Sequence, residues 1–423
     1  MIIEFSVCNF KSIADKQTFS MIADKGDELE KNVLTLEEPK KLRLLRSAAI
    51  YGANAAGKSN FITAITTMSD IVVESATNSK ASDLLPISNF RLSESFNKSP
   101  SEFEVNFIAD GVRFQYGFSA TKEHIVDEWL FAFPKGRSQK WFIRLWDENK
   151  KEYDWDLGSA LTGEKQTWMK STRPNALFLS TAVQLNSQQL KPVYDWFNYK
   201  LKYTALSGWS HDFTAKQCLE NKDDILKFLK AADVGIDDIV VKKERFDPSQ
   251  VPDDMPEALR DLIIQNMKDK DEYVIQTVHK NAEGKLTLFD LEDESHGTKK
   301  IFRFSGPLLH TLTKGNVLFI DELNDNLHPK LVEFIVSLFN NPDLNINGAQ
   351  LIFSTHETSI LSQKVFRRDQ IWFTEKGSNS ATKLFPLSEF SPRKGRENLE
   401  ASYLDGRYGA LPFVGKVEKV DGI

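Results

Sequence analysis

Ala48-Ala49-Ile50-Tyr51-Gly52-Ala53-Asn54-Ala55-Ala56-Gly57-Lys58-Ser59-Asn60 is the stretch that decides the fold. A short apolar run enters a loop of the form G-x-x-x-x-G-K-[ST] and leaves it on a helical pattern from Asn60 to Met68. An apolar run without alternation suits a strand covered on both faces, as in a parallel sheet under helices. The glycines let the backbone curl until its N–H groups converge on an anion. Lys58 then brings a full positive charge to the β- and γ-phosphates of a bound nucleotide, and Ser59 a hydroxyl for Mg2+. The stretch predicts an α/β fold with a phosphate cradle at the carboxyl end of a strand. Asn54, Gly57, Lys58, Ser59 and Asn60 are the expected binding residues.

Further along, Val317-Leu318-Phe319-Ile320 is a second buried strand, and Asp321-Glu322 emerge at its carboxyl end, where ligands of α/β sheets sit. Asp321 is expected to hold the metal and Glu322 to polarise the attacking water, which takes a carboxylate. Leu351-Ile352-Phe353-Ser354-Thr355-His356 repeats the pattern after one helix-length segment, a βαβ spacing, with His356 as candidate sensor of the γ-phosphate. Glu294-Ser295-His296-Gly297-Thr298 precedes the helical run from Lys299 to Leu312, with Ser295 as a plausible N-cap.

The strand of Ile2 to Val7 opens the chain, and Phe103 to Trp146 alternates polar and aromatic residues with Asp110-Gly111 as a hairpin turn, an antiparallel sheet. The expected organisation is residues 1–158 as a first lobe, 159–272 as a mainly helical insertion, and 273–423 as a second lobe. Pro248, Pro252 and Pro256 break any sustained heptad, so long coiled-coil arms are not expected. With 54 basic and 60 acidic side chains the net charge is −6, so no global basic field points to nucleic acid. Cys8 and Cys218 give neither a disulfide framework nor metal spacing, and no apolar run approaches membrane-spanning length. Without a signal-peptide pattern at Met1 to Phe5, a cytoplasmic protein is expected. Asp154-Trp155-Asp156 reads as a hairpin turn and not as a nuclease centre. Arg367-Arg368 and Arg393-Lys394-Arg396 form a solvated basic face, a nucleic-acid path or a partner groove.

Asn9-Phe10-Lys11-Ser12, Gly52 to Ser59, Ser295 with Gly297, Asp321-Glu322 and His356, in that order, resemble the ABC-class ATPases of the SMC/RecF/OLD-like branch. The resemblance covers about the first 125 and the last 150 residues. It implies an ABC-type head binding ATP and Mg2+, with Ser295 and Gly297 serving the nucleotide held by a partner protomer. Leu327-His328-Pro329, Ser354 to Thr358, Arg367 to Phe373 and Tyr403 to Phe413 look more narrowly like the ATPases of bacterial phage-defence operons, the RloA/AbiLi type and those of PARIS, Septu and some retron systems. That likeness implies a homodimer or higher oligomer controlling a separately encoded effector, commonly a nuclease. The alternative is a RecF-like repair or chromosome-handling ATPase that binds DNA itself. Two residues depart from the wider pattern: Ala55 stands where that loop has glycine, and His328 where transporters have an aspartate.

Overall fold

A computed structural model describes residues 1–37, 41–204, 209–245, 251, 255–267 and 271–412. In chain order the strands are β1 (Ile2–Cys8), β2 (Gln17–Ser20), β3 (Val33–Leu36), β4 (Leu42–Leu45), β5 (Ser47–Gly52), β6 (Ser101–Ala109), β7 (Val112–Ala120), β8 (Ile125–Phe133) and β9 (Gln139–Asp147). They continue with β10 (Glu152–Leu157), β11 (Leu201–Thr204), β12 (Asp238–Arg245), β13 (Asp271–Lys280), β14 (Leu286–Asp290), β15 (Val317–Ile320), β16 (Gln350–Ser354), β17 (Ile371–Lys376) and β18 (Thr382–Pro386). The α-helices are α1 (Lys58–Glu74), α2 (Glu94–Lys98), α3 (Lys165–Ser171), α4 (Phe178–Gln184), α5 (Lys191–Asp195), α6 (His211–Ala231), α7 (Glu257–Met267), α8 (His296–Lys314), α9 (Pro329–Asn340) and α10 (Leu399–Leu404).

The larger of two compact units comprises residues 1–205, 312–324 and 332–423. Among its described residues, one sheet has the order β11-β15-β16-β5-β17-β18, parallel except for β18. The loop-bearing strand β5 is therefore interior, and all of its residues are buried. The expected βαβ is present, with α9 between the parallel neighbours β15 and β16. The second sheet, β10-β9-β8-β7-β6-β1-β2, is antiparallel throughout. Burial alternates along β6 at every residue, as the period of two requires.

Helix α1 joins the two sheets through aromatic packing. Phe61 meets Phe5 of β1 edge-on at 5.5 Å, and Phe19 of β2 lies 4.9 Å from Trp372 of β17. A fully buried pair, Glu128 with Arg144 at 2.9 Å, ties β8 to β9, and Glu128 also accepts from the Phe178 and Leu179 amides at the start of α4.

The smaller unit, residues 206–311 and 325–331, holds α6, α7, the antiparallel sheet β12-β13-β14 and most of α8. The span 159–272 thus contains α3 to α7 and, beside them, β11 and β12. Pro248 and Pro252 lie outside the described residues. Asp154 and Asp156 are the third and fifth residues of β10, beyond the turn at 148–151, and pair with Lys150 and Lys140, so the hairpin-turn reading is corrected: both lie in the strand. No described helix is long and apolar enough to cross a membrane.

Candidate functional site

At the carboxyl edge of the parallel sheet, seven of the ten site residues expected from the sequence come together. Asn54, Gly57, Lys58, Ser59, Asn60, Glu322 and His356 line one hollow of about 440 Å3, completed by Ala55 and Lys376. That volume is ordinary for a small-molecule site.

The loop is shaped by close backbone approach. Gly52 has φ 153 and lies against β17, where a Cβ would stand 2.4 Å from the Thr374 carbonyl oxygen. Gly57 has φ 112, and a Cβ there would come within 2.1 Å of Thr382 Oγ1. Thr382 Oγ1 instead donates to the Ala56 carbonyl at 2.8 Å and contacts Ser12 Oγ at 2.8 Å, while Asn60 Nδ2 donates to Ser12 Oγ at 2.7 Å. The Asn9–Ser12 corner therefore braces the loop from behind. Gly57 caps α1 without a side chain, so the first N–H groups of that helix have no side-chain cap, an arrangement suited to phosphate.

Lys58 is buried, and its Nζ donates to the carbonyls of Gly52 at 2.9 Å and Ala53 at 3.2 Å. Burial pushes its ammonium below the ordinary lysine value, opposed by the nearby Glu322 and Asp321.

Across the hollow, Asp321 and Glu322 leave β15 at its carboxyl end. Asp321 Oδ1 accepts from Ser354 Oγ at 2.5 Å. Glu322 adopts φ 52, its amide donates to Ser354 Oγ at 2.8 Å, and its Oε1 lies 3.0 Å from His356 Nε2. Asn324 Oδ1 accepts from Thr355 Oγ1 and from the His356 amide, which fixes the histidine's backbone over the same strand ends. The donor set fits Mg2+ and a triphosphate: an exposed Ser59 hydroxyl, a carboxylate whose second oxygen is not engaged by Ser354, and Lys58 and Lys376 as cations.

Lys376 is a lining residue that no sequence motif singles out. It follows from strand pairing, because Thr374 lies opposite Gly52 and Lys376 continues β17 alongside the loop. Ser295 and Gly297 belong to the smaller unit, where Ser295 Oγ accepts from the Thr298 amide at 3.1 Å as the expected N-cap of α8. His328 Nδ1, in the same unit, is 3.2 Å from the Lys330 amide at the start of α9.

Of the basic clusters near the carboxyl end the fold consumes the first, while in the second Arg393 and Arg396 are exposed. Arg367 is buried and pairs with Asp369 at 2.8 Å, Arg368 pairs with Glu28 at 3.0 Å, and Lys394 pairs with Asp27. Tyr403 stacks on Phe373 of β17 at 5.3 Å, lies 6.1 Å from Tyr51 of the loop-bearing β5, and its hydroxyl donates to the Ala410 carbonyl, so this segment packs against both strands.

The family described as AAA domain, putative AbiEii toxin, Type IV TA system matches residues 47–362. No curated protein matches the chain. Among solved structures the chain is similar to an Smc head bound to the C-winged helix domain of ScpA, with 13% identity, 91% of this chain and 97% of that chain covered, and a TM-score of 0.38. It is similar to an Smc head domain with an extended coiled coil bound to the C-terminal domain of ScpA, from Pyrococcus furiosus, with 11% identity, 91% and 96% covered, and a TM-score of 0.40. It is also similar to the recombination mediator protein RecF with ATPrS, with 11% identity, 91% and 98% covered, and a TM-score of 0.36.

Proposed function

Since the chain belongs to the family described as AAA domain, putative AbiEii toxin, Type IV TA system, we propose that its hollow binds ATP with Mg2+ and hydrolyses the γ-phosphate bond. The observation that carries this is the convergence on one sheet edge of a glycine-shaped loop, a buried lysine and a carboxylate pair. Lys58 would trade its two loop carbonyls for phosphate oxygens, and Ser59 and Asp321 would hold the metal, whose charge would offset that of the phosphates. Glu322 accepts a hydrogen bond from the attacking water and takes its proton, while His356 holds the Glu322 carboxylate in place. The products are ADP and phosphate. On the motifs of its carboxyl-terminal half, the ATPase acts as a homodimer that controls a separately encoded effector, a nuclease, in phage defence.

Lys58→Ala tests the site. No other group in the loop supplies a full charge, so the variant should keep the fold and lose ATP binding in an equilibrium titration. Wild-type affinity in that variant would remove the assignment.

A second reading, direct binding of nucleic acid, is favoured by a hollow of about 240 Å3 beside the Asn9 corner. Its charged lining is Arg91, Lys98 and Lys122 against the single acid Glu123, and none of the three cations is in an ion pair among the described residues. Binding of a DNA duplex by the chain alone, weakening steeply with salt and lost when all three become alanine, would decide for it.

A further inference from the structure

Ser354 is the last residue of β16 and has no exposed surface, and although it lies inside the Leu351–His356 stretch, no role was expected of it from the sequence. Its one hydroxyl nevertheless touches both acidic residues of the neighbouring strand end, Asp321 Oδ1 at 2.5 Å and the Glu322 amide nitrogen at 2.8 Å. Its carbonyl accepts from the Leu323 amide at 3.0 Å. The proton's place follows from chemistry. An amide N–H only donates, so the Glu322 contact uses a hydroxyl lone pair, and the single O–H points at the Asp321 carboxylate. A hydroxyl donating to a carboxylate makes a charge-assisted bond, stronger than a neutral one.

We propose that Ser354 is a positioning residue for the nucleotide site, using one hydroxyl to hold the Asp321 carboxylate and the Glu322 backbone together. This rests on the ATP reading above. With Oδ1 of Asp321 engaged, that carboxylate cannot rotate freely, and Oδ2 is the oxygen that Ser354 leaves unengaged. With its amide engaged, Glu322 is held in the left-handed conformation, φ 52, that turns the chain at the strand end. An alanine at 354 leaves a half-buried acceptor and a half-buried donor without this partner and frees both groups. A side chain without a hydroxyl cannot satisfy the two at once, because one contact needs a donor and the other an acceptor. The hydroxyl thus acts on the metal through Asp321, and outer-shell partners of that kind typically govern metal affinity by ten- to a hundredfold.

The test is calorimetric titration of ATP into Ser354→Ala and Ser354→Thr, in EDTA and across a series of Mg2+ concentrations. In EDTA the alanine variant should bind ATP as the wild type does, which shows an intact loop. The Mg2+ concentration giving half of the metal's effect on binding should rise about tenfold. Turnover should fall with it. The threonine variant keeps the hydroxyl and should retain the wild-type Mg2+ dependence. Unchanged Mg2+ dependence in Ser354→Ala overturns the proposal. Equal shifts in both variants also overturn it, because packing and not the hydroxyl would then be responsible. Were the alanine variant not to fold, a shifted threonine variant alone would count against the hydroxyl. Failure of the wild type to bind ATP at all would instead remove the nucleotide reading.

Discussion

Glu322 sits at φ 52, a backbone conformation that costs a non-glycine residue roughly 1–2 kcal/mol. Such strain persists where surrounding bonds over-determine it, and here the Ser354 hydroxyl and His356 do so from two sides. Ala55 shows the same geometry, with φ 61, in the phosphate loop. The alanine that departs from the wider glycine pattern therefore follows the glycine path under strain and does not open a different one. Replacing Glu322 by Gln keeps the size of the side chain and its reach to His356, but the amide cannot take a proton from water. Glu322→Gln should bind ATP as the wild type does and hydrolyse it at least about 100-fold more slowly. Single-turnover rates decide the point. Wild-type turnover would move the base elsewhere, with His356 first in line.

At the scale of elements, the sequence announced those whose signal is local. Asp110 and Gly111 both have positive φ, 47 and 75, which is what a two-residue hairpin turn requires, and the alternation from Phe103 to Trp146 became the four strands β6 to β9. The apolar runs at Ala48, Val317 and Leu351 became β5, β15 and β16 in parallel register. What stayed hidden depends on partners far along the chain. The four residues of β11 carry no strand pattern of their own and exist by pairing Leu201 with Val317. The strand β12, Asp238–Arg245, ends in Lys242-Lys243-Glu244-Arg245 and is stabilised by pairing with β13, so its charges read as helical or loop. The nucleotide loop was legible residue by residue because its chemistry demands fixed types at fixed spacing. Lys376 and Ser354 were not, since a lysine past a strand and a serine at a strand end have many innocent explanations. Only the adjacency of β17 to β5, and of β16 to β15, gives them meaning. Glu128 and Arg144 were illegible for the same reason, charged residues on an otherwise apolar sheet that satisfy each other in its interior.

At the scale of the molecule the question is whether the site is complete within one chain. Gly297 bears on it. It lies in the first turn of α8, has no positive φ, and a Cβ there would find its nearest neighbours at ordinary contact, Asn326 O at 3.4 Å and Ser295 Oγ at 3.8 Å. Glycine inside a helix costs up to about 1 kcal/mol relative to alanine. No described neighbour requires a glycine there, and the proposed reading supplies a reason for one in something that approaches the backbone closely. On the proposed reading that is a nucleotide held by a second copy, met by Ser295 and Gly297. Lys58→Ala and Gly297→Arg should then each be inactive alone, the first for want of a phosphate-binding charge, the second because a long side chain blocks the approach. The room around Gly297 lets the arginine variant keep its fold. In a two-fold dimer each interface residue is used reciprocally. A mixed dimer therefore pairs the intact loop of one subunit with the intact signature of the other at one of its two sites, and regains up to about half the wild-type dimer rate. ATPase rate across mixing ratios, with heterodimers verified by differential tagging, reads this directly. A flat line at zero would mean that the sites are not shared, and normal hydrolysis by Gly297→Arg would strip Ser295 and Gly297 of any part in the reaction.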